Sequence, residues 1–314
     1  MPQMTPAQAR VIDPILSTVA QGYQNAELVG NALFPHVPVA ARAGKILAFG
    51  KESFMAYDTA RAPGSQIKRI SLGYSSGSYA LVDHALAASV PVELMEEASA
   101  VPGINLATPA VRTVQDALAL RLEIEQATLA TTAGNYQSSN KVTLSGTSQW
   151  SDFTNNVSDP INDIETAKEA IRGKVGKRPN VVVMGAAVLA KLKMHPKVLD
   201  RIKYTGRDVA TVDLLASLFG VQRVLVGDAV QATDAGVFSD VWGKFCVVAY
   251  TEIGSQAEMG RPSFGYTYQL ANYPMVSPAR YDADTRTWLY DVADAVKPVI
   301  AADLAGYLIS AAVA

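Results

Sequence analysis

The sequence predicts an α+β fold organised around one long helix, and three observations indicate it. Apolar residues recur at three-, four- and seven-residue spacings between Leu106 and Thr132, the pattern of an amphipathic helix. Short apolar strands alternate with helices between residues 160 and 260, which is typical of an α/β subdomain. The chain returns to β character after residue 261, in the segments FGYTYQL, RTWLYDV and VKPVIAADL. No internal repeat accompanies this order of elements.

The first 82 residues predict two extended elements that need a surface to lie on. Residues 1–44 form an arm broken by prolines, whose segment LFPHVPV is too apolar to be a free tail. Residues 45–82 form a two-stranded ribbon with a charged, proline- and glycine-containing tip, Tyr57–Ile70. A two-stranded ribbon alone is only marginally stable in water. On the returning strand, one face of the ribbon carries three apolar side chains, Ile70, Leu72 and Tyr74.

The region 83–159 is expected to hold two helices. A short helix over Val90–Ala98 carries the three carboxylates Glu93, Glu96 and Glu97, which we interpret as a solvated or subunit-facing surface rather than as an acid–base pair. The long helix occupies residues 105–133 and should be covered on more than one side. Its first apolar stripe contains Val111, Val114, Leu118, Leu122 and Leu129, and its second contains Leu120, Ile124 and Ala127.

A compact α/β unit is predicted for residues 160–260. Asp159 and Pro160 are the expected N-cap and first residue of its opening helix. The further predicted elements are strand Asn180–Met184, helix Ala186–Met194, helix Lys197–Tyr204, helix Thr211–Phe219, strand Val221–Gly227 and strand Lys244–Thr251. Residues 261–314 then supply the returning strands.

The residues give little support to an enzyme. The three histidines lie far apart in sequence and have no metal-ligand spacing with Cys246, which we interpret as a buried apolar residue. The segment RGKVGKRPN lacks the spacing of a phosphate-binding loop, and the acidic run YDADTRTWLYD reads as a hairpin turn rather than a calcium loop. We therefore predict no catalytic residues, no metal and no cofactor.

Composition excludes several other classes. The net charge of −2 provides no strong attraction to nucleic acid, and the longest apolar stretches are too short to span a bilayer. A charged fraction of 18% is low, which fits a surface largely covered by other protein and fits an alanine-rich enzyme equally well. We see no signal peptide and expect folding in a reducing cytoplasm.

The order of these parts, with the phrases ALFPHVPV, RAPGSQIKRI and NVVVMGAAVLAKLKMHPKVLDRIKY, resembles the major capsid proteins of tailed bacteriophages, which have the Hong Kong 97-like fold. The resemblance implies an N-arm at 1–44, an E-loop at 45–82 and a P domain at 83–159 that contains the spine helix. It also implies an A domain at 160–260 and returning P-domain strands at 261–314. Because the arm starts close to Met1, we expect a separate scaffolding protein, or none, and no large maturation cleavage.

The function implied by this resemblance is self-assembly, as hexamers and pentamers, into an icosahedral or prolate shell around double-stranded DNA. Scaffolding, portal and decoration proteins are the implied partners, DNA is contacted weakly, and no membrane is involved. The chain would be assembled in the host bacterial cytoplasm and reside in the virion. We expect intersubunit contacts at Asp58, Arg61, Lys68, Arg69, Ile70, Leu72, Tyr74, Glu93, Glu96 and Glu97. The alternatives are an encapsulin-type nanocompartment that encloses cargo protein and, behind it, a soluble α/β enzyme.

Overall fold

The computed structural model describes residues 28–45, 60, 77–99, 106–154, 156–203, 210–233, 235–252 and 263–314. In chain order the helices are α1 (Gly30–Leu33), α2 (Val92–Ser99), α3 (Ala107–Thr131), α4 (Pro160–Val175), α5 (Ala186–Leu192), α6 (Pro196–Ile202) and α7 (Val212–Phe219). The strands are β1 (His36–Val39), β2 (Ala43–Lys45), β3 (Ser78–Ala80), β4 (Val82–Pro91), β5 (Lys141–Thr143), β6 (Val181–Gly185), β7 (Arg223–Gly227), β8 (Val230–Ala232), β9 (Phe238–Asp240), β10 (Cys246–Ala249), β11 (Gly265–Leu270), β12 (Met275–Val276), β13 (Arg280–Asp282), β14 (Thr287–Ile300) and β15 (Gly306–Ser310).

The first sheet is built around the fourteen-residue strand β14. One edge of β14 pairs antiparallel with all ten residues of β4, from Val82 opposite Val296 to Pro91 opposite Thr287. The other edge pairs in turn with β11, β12 and β13, and β1 lies parallel beside β11. The N-terminal segment therefore enters the same sheet as the last third of the chain.

Two features of this sheet differ from the sequence prediction. Strand β4 was not predicted, because six of its residues are exposed and its composition is rich in alanine rather than β-branched residues. The segments RTWLYDV and VKPVIAADL, which were predicted separately, form one strand through residue 300. Alternation along β14 is incomplete because a helix covers one end of its inner face.

That helix is α3, the predicted spine. Its N-terminal half packs on the first sheet through a cluster that contains Val111 and Val114 from the helix, Val90 from β4, and Tyr290 and Val292 from β14. Its C-terminal half joins a second, larger cluster through Ala127 and Ala130. One helix thus joins two of the three hydrophobic clusters found among the described residues.

The second sheet has the strand order β5-β15-β10-β6-β7, with β6 and β7 parallel. Helices α5, α6 and α7 form the connection from β6 to β7, and α4 packs against β10 and β15. The fully buried side chains here include Trp150, Phe219, Ile164, Ile171, Met184, Leu192, Leu215 and Leu308. This is the predicted α/β unit, although its sheet is completed by β15 from the C-terminus and β5 from before residue 160.

The helix ends of this unit follow the local signals in the sequence. The Asp159 carboxylate accepts a hydrogen bond from the Asn162 backbone N–H at 3.1 Å, and Pro160 occupies the first helical position. Gly176 and Gly220 end α4 and α7 with φ values of 69° and 61°, a backbone region that favours glycine. The predicted start of α4 and the predicted start and end of α7 are confirmed to within one residue.

Candidate functional site

The base of the predicted loop is fixed to the first sheet. β2 pairs antiparallel with β3, from Ala43 opposite Ala80 to Lys45 opposite Ser78. Arg42 Nη1 lies 2.5 Å and 2.6 Å from the two Asp83 carboxylate oxygens, and both side chains are more than half exposed. The Tyr79 ring stacks on Tyr268 of β11 with centroids 4.3 Å apart. The described residues on both sides of the predicted loop are therefore held by contacts within the chain itself.

The predicted contact residues of the loop lie outside the described ranges. These are Asp58, Arg61, Lys68, Arg69, Ile70, Leu72 and Tyr74, and their assignment stays a prediction. Between Lys45 and Gly77 the structure describes one residue, Ala60, and it is exposed.

The predicted acidic surface is carried by α2, which follows β4 directly. Glu93 and Glu96 are exposed, and only the backbone of Glu97 is described. The Glu93 carboxylate lies 3.5 Å from Arg286 Nη1, in the turn between β13 and β14. Because both groups are more than half exposed, this ion pair is weak and leaves the carboxylate open to a second cation.

A buried carboxylate joins the N-terminal segment to the rest of the molecule. The Glu123 side chain on α3 is 2% exposed and accepts hydrogen bonds from the Val29 and Gly30 backbone N–H groups at 2.8–3.1 Å. It also accepts one from Trp242 Nε1 at 2.7 Å. Burial raises the pKa of Glu123, an effect opposed by these donated hydrogen bonds. Glu123 therefore ties together three segments that are far apart in sequence.

One helical turn later, Gln126 continues the same junction. Its Nε2 donates to Asn31 Oδ1 at 3.0 Å and to Thr267 Oγ1 at 2.9 Å. The Thr267 hydroxyl in turn donates to the Phe34 carbonyl at 3.0 Å. All the members of this chain except Asn31 are buried, so their polar groups are satisfied mainly by one another. The N-terminal segment is held by specific polar contacts as well as by Leu33 and Phe34.

These polar positions on the spine helix were not predicted from the sequence. Gln115, Glu123 and Gln126 are buried, whereas Leu118, Leu120 and Ile124 are only partly so. The available signal was the pair of small residues Ala127 and Ala130 beside Glu123 and Gln126, which permits the close approach of another backbone. Periodicity counts apolar residues and so cannot reveal a buried polar stripe.

A further group of charged side chains lies where the spine helix crosses β4 and β14. Arg121 Nη1 is 2.9 Å from His84 Nε2, and Lys297 Nζ is 2.5 Å from Glu125 Oε1. His84 is the cross-strand neighbour of Asp294. Burial, and then Arg121, lowers the pKa of His84, while burial raises the pKa of Asp294. The group balances charge at a helix–sheet contact and contains no activated nucleophile.

The remaining candidate reactive groups have structural surroundings. Cys246 is fully buried within the second sheet, and burial raises the pKa of its thiol. His195 is 2% exposed; its Nδ1 accepts from the Lys197 backbone N–H at 3.3 Å and its Nε2 lies 3.1 Å from Ser158 Oγ. Among the described residues no group of three His, Cys, Asp or Glu side chains could hold a metal ion. No helix in the described ranges is long and apolar enough to cross a membrane.

Comparison with known proteins gives this arrangement a family. The family model "Phage major capsid protein E" matches residues 126–238. The major capsid protein of Burkholderia phage BcepMu is 39% identical over 311 residues, which cover 97% of each chain. The crystal structure of a phage-related protein from Bordetella bronchiseptica RB50 is 43% identical, with a TM-score of 0.83 over 97% of this chain and 99% of that one.

More distant structures share the fold alone. The capsid of cyanophage P-SCSP1u is 11% identical with a TM-score of 0.58, covering 92% of this chain and 89% of that one. The SrpI encapsulin of Synechococcus elongatus PCC 7942 is 15% identical with a TM-score of 0.55, covering 99% of this chain and 91% of that one. The predicted Hong Kong 97-like α+β fold is confirmed, and encapsulins are related to this chain only at that distance. The length and identity of the match to the BcepMu protein decide the family, and the chain belongs to the phage major capsid proteins.

Proposed function

We propose that copies of this chain assemble, as pentamers and hexamers, into the closed shell that encloses the double-stranded DNA of a tailed phage. The observation that carries the proposal is the 39% identity to a phage major capsid protein across 97% of both chains. The role is structural rather than enzymatic, as it is for this family, and it places the protein in the virion. The low charged fraction of 18% suits a subunit whose surface is largely covered by its neighbours.

The proposed roles of the regions are those that the sequence predicts. Residues 1–44 act as the N-arm and 45–82 as the E-loop, while residues 83–159 with 261–314 form the P domain and 160–260 the A domain. What supports this division is the anchoring of the arm by Glu123 and of the loop base by β2 and β3. Elements held firmly at one end can reach a neighbouring copy without losing their starting direction. Many modest contacts of this kind become strong when a closed lattice forms them together.

The contact chemistry we propose is partly electrostatic. Arg61, Lys68 and Arg69 of the loop meet the acidic helix α2 of an adjacent subunit, where Glu93 and Glu96 are exposed. Ile70, Leu72 and Tyr74 rest on apolar surface of the same neighbour, with Asp58 at the loop tip. Exposed pairs of this kind contribute about 0.2–1 kcal/mol each, so they set register more than they set stability.

The other partners follow from the same role. We propose assembly in the host cytoplasm with a portal, a scaffolding protein and, in some shells, a decoration protein. The net charge of −2 suits an inner wall that contacts DNA weakly, because tight phosphate binding would hinder packaging and release.

Deletion of Asp58–Ser65 tests the loop assignment. The shortened subunit should stay folded and soluble, because the described contacts at the loop base lie outside the deleted residues, but it should form no closed shells in negative-stain micrographs. A matched control replaces the same eight positions with a Gly/Ser linker, which keeps the length and removes the contact chemistry. Normal particles from both variants would sink the assignment of the loop.

The content of the particles tests the function itself. Particles formed during infection or from the full set of phage genes should contain nuclease-protected DNA. Particles that instead carry a folded cargo enzyme would support the encapsulin alternative. A subunit that remains monomeric at every concentration in size-exclusion chromatography would contradict both shells.

A further inference from the structure

The hairpin formed by β8 and β9 carries apolar side chains that the chain itself does not cover. Phe238 is 72% exposed, Val237 62% and Val230 47%. The hairpin pairs over only three residues on each strand and has no other strand beside it among the described residues. A short two-stranded ribbon with an exposed phenylalanine buries little apolar surface of its own, so this surface is suited to contact another molecule.

A second exposed apolar surface surrounds His195. Phe153 lies edge-on to the His195 ring with centroids 5.7 Å apart, and Met194 precedes that histidine in the chain. Val157 and Leu199 complete the surface; the four residues are 38–60% exposed. Unlike the hairpin, this surface is supported from below by the buried residues Val198 and Ile202 of α6.

The two surfaces carry opposite charge. Residues 224–243, which include the hairpin, contain no lysine or arginine, and Asp228 and Asp240 are exposed there. The segments that carry the second surface, 150–159 and 186–203, contain five basic residues against three acids, Asp152, Asp159 and Asp200, and Asp159 pairs with Lys197 at 3.0 Å. The basic residues are Lys191, Lys193, Lys197, Arg201 and Lys203. Two apolar patches whose surrounding charges have opposite sign attract each other, whereas two copies of the same patch repel.

The two surfaces are carried by different elements of the fold. The hairpin begins three residues after β7, which is one edge of the second sheet. The segment that carries Phe153 follows β5, the opposite edge, and is held there by the hydrogen bond from the Trp150 backbone N–H to the Ala312 carbonyl at 2.7 Å. Phe153 and Val157 therefore belong to a segment that follows the β5 edge, whereas Met194 and Leu199 lie in the connection between β6 and β7, and the hairpin follows β7.

We propose that the β8–β9 hairpin of one subunit docks on the surface formed by Phe153, Val157, Met194 and Leu199 of the next copy. The inference rests on the proposed self-assembly and names the surfaces that carry one contact of it. Because the two surfaces differ, the contact is head-to-tail, which is the kind that generates rings when its rotation closes. Complete burial of a phenylalanine side chain contributes about 1.5–3 kcal/mol, so Phe238→Ser should weaken this contact roughly 30-fold.

Cysteine crosslinking tests the pairing of surfaces. The native Cys246 is fully buried and should not react under native conditions, so introduced cysteines can be followed alone. The double variant Val237→Cys with Met194→Cys, oxidised after assembly, should give a ladder of crosslinked oligomers on a non-reducing gel. Each single variant is the matched control and should remain monomeric. Crosslinking of Val237→Cys alone would mean that hairpin meets hairpin and would overturn the proposal, as would assembled double-variant particles without crosslinks.

Charge reversal provides an independent test that does not depend on crosslinking. Asp228→Lys with Asp240→Lys, and separately Lys193→Glu with Arg201→Glu, should each reduce particle yield at low salt by tenfold or more. Combining all four changes should restore yield, because the borders again have opposite signs. Thermal unfolding of the unassembled subunits should be unchanged, since all four side chains are exposed.

The outcomes separate this inference from the proposed function. If the unmodified chain forms no shells, the proposed function fails. If the unmodified chain forms shells and both reversed variants assemble at its yield, the docking contact fails while the shell function stands.

Discussion

Replacement of Glu123 by alanine is the most informative perturbation of the described structure. The side chain is 2% exposed and accepts hydrogen bonds from the Val29 N–H, the Gly30 N–H and Trp242 Nε1. Without the carboxylate, these three donors lose their acceptor at a place that water reaches poorly. The N-terminal segment should loosen from the spine helix as a result.

The expected loss of stability can be estimated from those contacts. Leaving a buried donor unsatisfied costs about 1–3 kcal/mol, so three donors give an upper figure near 9 kcal/mol. The variant also no longer buries a charge, and the raised pKa of Glu123 indicates that this burial is unfavourable. The costs of the three unsatisfied donors are not additive, because the donors share one acceptor. We therefore expect the free energy of unfolding to fall by about 3 kcal/mol, the low end of the range.

Urea unfolding of the unassembled subunit, followed by circular dichroism, measures this loss. Hydrogen exchange gives a local readout, because the amides of Val29 and Gly30 should lose protection when their acceptor is removed. The matched control is Glu169→Ala on α4, whose carboxylate is half exposed and paired with Arg172; it should change stability by about 0.5 kcal/mol or less. If Glu123→Ala does not fold, Glu123→Gln keeps the shape and should show a smaller loss of the same kind. A loss below about 1 kcal/mol with unchanged protection would refute the reasoning, and would mean that apolar contacts alone hold the arm.

Three further variants test other parts of the structure. Gly185→Ala should lower the free energy of unfolding by about 3 kcal/mol, because the new Cβ would lie 1.9 Å from the Gly243 carbonyl oxygen. Gly173→Ala in α4 should raise it by about 0.5–1 kcal/mol, because a Cβ there meets nothing within 4 Å. Equal urea midpoints for the two variants would contradict this packing. Burial and then Lys197 lower the pKa of His195, and Asp159 partly offsets them, so the folded state favours the neutral ring. The stability that the neutral ring contributes is therefore lost as pH falls below about 6.5. His195→Asn should therefore show a shallower fall in urea midpoint between pH 7.5 and 5.5 than the unmodified chain, and parallel pH profiles would count against this role for the ring.

The elements that the sequence predicted well are those whose signals are local. Helix α4 begins at Asp159 and Pro160 and ends at Gly176 because the capping groups and the left-handed glycine act on their own few residues. The spine helix was predicted to within a residue or two at each end because its apolar stripe extends over many turns. The contact residues of the loop were also proposed from sequence, and they stay predictions because they lie outside the described residues.

The elements that the sequence did not predict depend on partners far away in the chain. Strand β4 is rich in alanine and has few β-branched residues, and it becomes a strand because β14, about two hundred residues later, pairs with all ten of its residues. A glutamate in a helix is usually exposed to solvent, but Glu123 is buried because Trp242 and the N-terminal segment both donate hydrogen bonds to it. Such positions cannot be identified from local periodicity, which does not specify which segments meet.

The sequence by itself therefore determined the family, the spine helix, the capped helices of the α/β unit and the absence of any recognisable catalytic motif. These properties follow from residue types and short spacings that are read within one segment. Only the tertiary structure decided where the arm is anchored, which strand closes the first sheet and which apolar side chains remain uncovered. Those outcomes depend on the pairing of distant segments, and burial is a property of that pairing rather than of any single residue.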